Sequence, residues 1–208
     1  MKLIRMVLAT AASFVIAAGI GCAKRSSNSP ALVAELEQQR REKDRQFKHE
    51  NYSPLPDSAK EHFSGLPYFP VDLKYRFEGA IKKFEQPDTL ALATSDGRLK
   101  KALRYGTFSF SLEGRQHQLE VYRLLSLPAQ YANYLFIPFT DLTSGEEAYG
   151  GGRYLDLEEQ KDNQYVVDFN LAYNPSCAYG RKDFSCPVPP RSNALDVRIA
   201  AGEKNWKH

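Results

Sequence analysis

From residue 71 to residue 200 the chain keeps returning to a period of two. In "VDLKYRFE" (71–78), Val71, Leu73, Tyr75 and Phe77 take every second position, with Asp72, Lys74, Arg76 and Glu78 between them. Such spacing buries one face of an extended segment and wets the other, which selects half-buried antiparallel strands over helices. "TLALAT" (89–94) and "LKKALRYG" (99–106) flank Asp96-Gly97, a hairpin dipeptide. "TFSFSLEG" (107–114) and "HQLEVYRLL" (117–125) form a second hairpin around Glu113-Gly114. "YLFIPF" (134–139), "RYLDL" (153–157), "YVVDFN" (165–170) and "LDVRIA" (195–200) bring the set to about nine short strands without an internal repeat. The expectation is a mostly β fold, an antiparallel sandwich or partly closed barrel, with a long irregular loop near the C-terminus.

A helix precedes the strands. Ser29-Pro30 is a start signal, serine as N-cap and proline in the first turn, and "ALVAELEQQRREKDRQFKHE" continues with strong helix formers. Leu32, Val33, Leu36 and Phe47 are too sparse for a buried helix, so the segment is expected to be solvated and to rest on the domain at its C-terminal end. Ser58 and Glu61 form a capping box that predicts one short turn near 58–64.

The N-terminus carries an address. Lys2 and Arg5 precede an uncharged, mostly apolar run from Met6 to Ile20, too short to span a bilayer comfortably and closed by small residues, the pattern of a signal peptide over 1–21. Gly21-Cys22 at its end resembles a bacterial lipobox, in which the cysteine is lipidated and becomes the new N-terminus. An ordinary secretory signal cut nearby is the alternative. On the lipobox reading, residues 22–30 are a lipidated cysteine and a flexible tether, and residues 31–208 are a single globular domain. Ala23 in place of an aspartate favours the outer membrane, with the domain facing the periplasm. Export removes 21 of 208 residues together with Lys2 and Arg5, so a net charge of +3 falls to +1. A nearly neutral domain has no footprint for nucleic acid; the expected partners are a membrane, through the lipid, and a small molecule.

Two stretches concentrate the unusual chemistry. "YGGGRYLDL" (149–157) places Gly150, Gly151 and Gly152 between Tyr149 and Arg153. A phosphate loop wants a following Lys-Ser/Thr and a helix, whereas an arginine and a strand follow here. The glycines either bend the chain into the strand or bring Arg153 over a pocket as an anion-binding fork. By alternation with Leu155, Arg153 points inward, where its donors need partners; Asp168, Asp156 and Glu203 are the candidates. If 153–157 pairs with 165–170 as a hairpin, Leu155, Val167 and Phe169 share one face while Tyr154, Asp156, Asp168 and Asn170 share the other. Two carboxylates on one face suit general acid/base chemistry, or they pin the following loop by bonding its peptide groups.

In "DFNLAYNPSCAYG" (168–180) and the residues after it, Cys177 and Cys186 lie nine positions apart. With Cys22 lipidated, a disulfide between them is the simplest use of two thiols in an exported chain, contributing about 2–3 kcal/mol. A redox centre or a metal pair are the alternatives, but there is no C-x-x-C and His49, His62, His117 and His208 are scattered, so no metal or cofactor is expected. G-x-S-x-G and H-E-x-x-H motifs are missing as well.

The ordered set "SPLP", "FSGLPYFPVD", "LFIPFTDLTSG", "YGGGRYLDL", "DFNLAYNPSCAYG" and "CPVPPRSNALDVRIAAGE", with "RREKDRQF" at its start, resembles the domain of unknown function 1684 family over about residues 38–203. The resemblance implies one compact, mostly β domain and no particular activity. Two functions remain. One is a non-catalytic envelope lipoprotein whose loop-lined pocket, drawn from Tyr149, Gly150, Gly151, Gly152, Arg153, Asn170, Asn174 and Tyr179, binds a small ligand or envelope component. The other is an enzyme working on a small polar substrate through Asp156, Asp168 or Arg153.

Overall fold

The computed structural model describes residues 24–25, 29–181 and 183–206. The expected signal peptide, the expected lipidation site Cys22 and His208 lie outside them. Eight antiparallel strands appear among the described residues: β1 (Lys24–Arg25), β2 (Arg76–Lys83), β3 (Thr89–Ala93), β4 (Leu99–Leu112), β5 (Arg115–Leu124), β6 (Tyr134–Phe139), β7 (Arg153–Glu158) and β8 (Gln164–Asp168). Two helices, α1 (Pro30–His49) and α2 (Asp57–Lys60), precede β2. The sheet runs β7-β6-β5-β4-β2-β8, with β1 added to β2 and β3 to β4. It curls into a nearly closed barrel with one unsealed seam, between β7 and β8.

That seam corrects the expected 153–157/165–170 hairpin. β7 pairs with β6 (Ile137 opposite Leu155) and β8 pairs with β2 (Phe77 opposite Val167). The free edge of β7 is taken by the following loop, where Tyr154 and Tyr173 exchange N–H···O bonds of 2.9 and 3.1 Å. Leu155, Val167 and Phe169 nevertheless share the core, because the sheet curves both strands onto the same interior. Phe77, Phe110, Phe139 and Phe169 fill it with ring contacts of 4.7–6.1 Å.

Other expectations shift at their edges. The 71–78 strand starts at Arg76, since the Asp72 carboxylate accepts from Lys74 N at 2.9 Å and winds Leu73–Tyr75 into a 3₁₀ turn. The 99–106 and 107–114 segments are one strand, bulged between Arg104 and Gly106. Ser29 caps α1 without a side-chain bond, and Pro56 rather than Ser58 caps α2. Lys24–Arg25, expected in a free tether, bridges β2.

The segment 195–200 is not a strand. Leu195, Val197, Ile199 and Ala201 alternate into the core; backbone bonds hold the start of the segment (Leu195 N to Thr140 O at 2.8 Å, Leu142 N to Val197 O at 3.2 Å), and side chains take over from Ile199. Ile199 N donates to Asp141 Oδ2 at 2.7 Å, and the carbonyls of Ile199 and Ala201 accept from Arg153.

Candidate functional site

Arg153 sits at the first position of β7, turned inward by the glycines before it. Gly152 has φ +86° and no room for a side chain: a Cβ there would lie 2.6 Å from both the Phe139 carbonyl oxygen and Pro189 Cγ. A Cβ on Gly151 would meet the Tyr149 ring at 2.4 Å, whereas on Gly150 its nearest neighbour is 3.5 Å away. The guanidinium is fully buried. It donates to the carbonyls of Ala201, Glu203 (3.3 Å) and Ile199 (2.9 Å), to Thr143 Oγ1 (3.3 Å) and to Asp141 Oδ1 (3.0 Å). Desolvation lowers its pKa against the pull of Asp141. Its ion partner is therefore Asp141, none of the three expected carboxylates; Glu203 contributes only a carbonyl. Asp141 was hidden in the sequence because it lies beyond any strand pattern, at the turn after β6. Arg153 holds that turn and the 199–203 segment, with its Nη1 and Nη2 donors taken up inside the chain.

Of the two aspartates expected to pin the following loop through its peptide groups, Asp168 bonds one such group and Asp156 bonds none among the described residues. Asp168, buried, accepts from Asn170 N and Nδ2 at 2.9 and 2.8 Å and faces Arg76 Nε at 3.7 Å. Burial raises its pKa despite these partners. Asn170 then clamps residue 72, its Oδ1 accepting from Asp72 N at 2.9 Å and its Nδ2 donating to Asp72 O at 3.0 Å. Asp156 is at the surface, accepting Tyr134 OH at 2.6 Å and Tyr173 OH at 2.8 Å. Although part of this carboxylate meets water, the protein crowded around it raises its pKa by desolvation. The two aspartates share no partner among the described residues, so they do not form the expected catalytic pair.

The unexpected centre is Glu203, 1% exposed. Its Oε2 accepts from Asn174 N at 2.8 Å and from Tyr179 OH. Burial and this carboxylate push the Tyr179 phenol well up. Its Oε1 meets Lys43 Nζ at 2.6 Å, close enough for an ion pair but off the alignment of a hydrogen bond. Lys43 comes from α1, where Leu36, Arg40, Lys43, Asp44 and Phe47 form the stripe laid on the domain. Arg40 donates to the carbonyls of Phe69 (2.8 Å) and Asn170 (3.2 Å), and Asp44 accepts Leu66 N at 3.0 Å. The i, i+3, i+7 spacing of Arg40, Lys43 and Phe47 was the available signal; an apolar-only reading of the helix missed it.

Two recesses open on either side of Lys43. One, of about 160 Å³, is lined by Arg40, Tyr68, Asn170 and Glu203. The other, of about 220 Å³, is lined by Phe47, Tyr52, Tyr173, Asn174 and Tyr179. Asn170 thus lines the first recess and Asn174 and Tyr179 the second, while Gly150, Gly151, Gly152 and Arg153 line neither. Tyr149 packs instead on the small cluster of Leu55, Phe63, Leu66, Ala178 and Tyr179.

The expected disulfide is not formed. Cys177 and Cys186 are both free thiols, with Cys177 N donating to Cys186 Sγ at 3.2 Å and Tyr149 OH 4.0 Å from Cys177 Sγ. The Cys186 thiol, as donor, pulls the Cys177 pKa down to about 6.

Fold and site define a class: a nearly closed antiparallel barrel whose seam is covered by a helix and a side-chain-pinned loop. The chain belongs to the family described as "Protein of unknown function (DUF1684)", whose match spans residues 61–204. A solution NMR structure of an uncharacterised protein from Haloarcula marismortui is 40% identical, with 84% of this chain and 94% of that chain covered at a TM-score of 0.64. No curated protein matches significantly.

Proposed function

We propose that the chain is an exported binding domain, tethered to the cell envelope through a lipid on Cys22, that takes a small polar ligand in the paired recesses beneath α1. The observation that carries this reading is the polar lining left unfinished there. Among the described residues, Asn174, only 2% exposed, has an Oδ1 without a hydrogen-bond partner, and the buried Tyr68 hydroxyl has none either. Buried polar atoms are ordinarily satisfied, so a concave site that leaves them open is suited to a ligand. Neither recess alone holds more than a small molecule. Thermal-shift screening of the purified chain against metabolites and envelope glycans tests the reading, because a ligand of the folded state raises the melting temperature. A ligand whose shift survives both Tyr68→Phe and Asn174→Ala would place binding elsewhere and overturn it. For the tether, a palmitate analogue should label the wild type and not Cys22→Ser; equal labelling of both would reject the anchor.

An enzymatic reading rests on Asp156. A carboxyl with a raised pKa, held between the Tyr134 and Tyr173 phenols at a recess of about 380 Å³, has the makings of a general acid. Hydrolytic activity on small polar esters or glycosides that disappears in Asp156→Asn would favour it over the binding reading.

A further inference from the structure

Lys43 occupies a place furnished for a cation. Its ammonium lies 4.8 Å from the Tyr173 ring centroid, 5.4 Å from that of Phe47 and 2.6 Å from Glu203 Oε1. Aromatic faces and a buried carboxylate are the elements by which proteins hold organic ammonium groups. We propose that this box is a receptor for a small organic ammonium compound, and that Lys43 is the chain's own stand-in, displaced when the ligand enters. The inference rests on the binding reading above and adds the ligand's chemistry.

Four observations point the same way. Glu203 is a buried anion whose Oε2 is satisfied within the chain by Asn174 N and Tyr179 OH, while its Oε1 has Lys43 as its only direct ion-pair partner among the described residues. That last pair lacks hydrogen-bond alignment, so an ammonium free to choose its position can improve on it. Lys43 is 30% exposed, which gives its flexible stem a route into water. The 220 Å³ recess beside it carries no other charged residue, and its remaining lining offers aromatic faces and the open acceptor Asn174 Oδ1. Tyr52, 69% exposed, stands at its rim as a further aromatic wall. The 160 Å³ recess includes Arg40, whose charge repels a cation. The ligand ammonium therefore enters from the Phe47–Tyr173–Asn174 side and replaces Lys43 Nζ against Glu203.

Displacement has a measurable consequence. The apparent affinity is reduced by the fraction of molecules in which Lys43 has left the box, and removing that competitor restores it. If about a tenth of molecules are open, Lys43→Ala should bind about tenfold more tightly than the wild type. The test is calorimetric titration of the purified full chain and of Lys43→Ala with choline, ethanolamine and 3,3-dimethylbutan-1-ol, the uncharged isostere of choline. The expected result is binding of choline or ethanolamine that strengthens in Lys43→Ala, no binding of the isostere, and loss in Lys43→Ala/Tyr173→Leu. Glu203→Gln should also lose binding; if that variant does not fold, the Tyr173 variant and the isostere still decide. Should Lys43→Ala itself not fold, Lys43→Met keeps the stem and permits the same comparison. Folded protein that binds neither ammonium, or binds choline and its isostere alike, overturns the proposal. If such protein still responds to an anionic or neutral compound through Asn174, the binding reading stands and only the cation assignment falls.

Discussion

Arg153 and Asp141 form an ion pair from which water is fully excluded, with Nη2 3.0 Å from Oδ1 and neither side chain exposed. Such a pair is not free stabilisation, because both ions give up hydration on folding. What it does is complete two irregular segments at once. Asp141 takes the Thr143 and Ile199 amides, and Arg153 takes the Ile199, Ala201 and Glu203 carbonyls, so one pair replaces the ladder that 199–203 lacks.

Removing either partner should therefore strand a buried charge. Arg153→Ala is expected to lower stability by about 3–5 kcal/mol, and Arg153→Lys should rescue little, since an ammonium cannot fork across three carbonyls and a carboxylate. Urea denaturation measures both. An Arg153→Ala variant within about 1 kcal/mol of the wild type would mean that the pair contributes nothing net.

How far this centre was legible depended on the kind of signal. Alternation found Leu155, Val167, Phe169, Leu195, Val197 and Ile199 as core residues, because burial follows period two whether or not a ladder forms. It also turned Arg153 inward. It could not show that the segment pairs with side chains from Ile199 on, because backbone pairing leaves no mark on residue type. Asp141 and Lys43 were missed for a related reason: each meets its partner across more than ten residues of chain, and for Lys43–Glu203 across most of the domain. Asp156 and Asp168 share the outward side of their strands as expected, but the open seam keeps them apart.

The three glycines are not equivalent. Gly152 has φ +86° and a Cβ position only 2.6 Å from a carbonyl oxygen and a proline ring, so Gly152→Ala meets left-handed strain and a clash together. A loss of at least about 2 kcal/mol is expected. Gly150→Ala, with its nearest neighbour at 3.5 Å, should stay within about 0.5 kcal/mol of the wild type. Equal melting temperatures for the two variants would contradict this account of the bend.

Glu159 ties the end of β7 to three other strands, accepting Tyr105 OH at 2.6 Å, Lys83 Nζ at 3.0 Å and Arg123 Nη2. The Tyr105 hydrogen bond, then the two cations, hold its carboxyl down to about 2. A pKa below the unfolded value of about 4.5 gives stability that is present above that value and lost as pH falls towards 2. Glu159→Gln should therefore be less stable than the wild type at neutral pH and converge with it on acidification. Buried Asp168 has the opposite sign: its raised pKa gives stability present below the ordinary aspartate range and lost as pH climbs through the raised value. Urea midpoints for wild type and Glu159→Gln from pH 7 to pH 2 separate the two. A gap that stays constant with pH would rule Glu159 out as the source.

Cys177 and Cys186 are reduced neighbours prepared for oxidation. Cys177 is half-buried and held near pH 6 chiefly by the Cys186 thiol, so much of it is thiolate at neutral pH; Cys186 is buried and pushed up by the same contact. The thiolate is the attacking species in exchange. With glutathione disulfide, Cys177 should form the mixed disulfide and release one glutathione thiolate. Cys186, after losing its proton to solvent, should then displace the second glutathione and close the Cys177–Cys186 bond. Reduced protein should show iodoacetamide labelling at Cys177 with a half-maximal rate near pH 6, far below an ordinary thiol. Because the folded pKa lies under the unfolded one, the thiolate's contribution to stability is present above the unfolded thiol range and fades as pH falls through about 6. Closing so short a loop should add about 2–3 kcal/mol, read as a higher urea midpoint of the oxidised form. Reduced protein that resists glutathione disulfide at pH 7 would show the pair to be a packing contact.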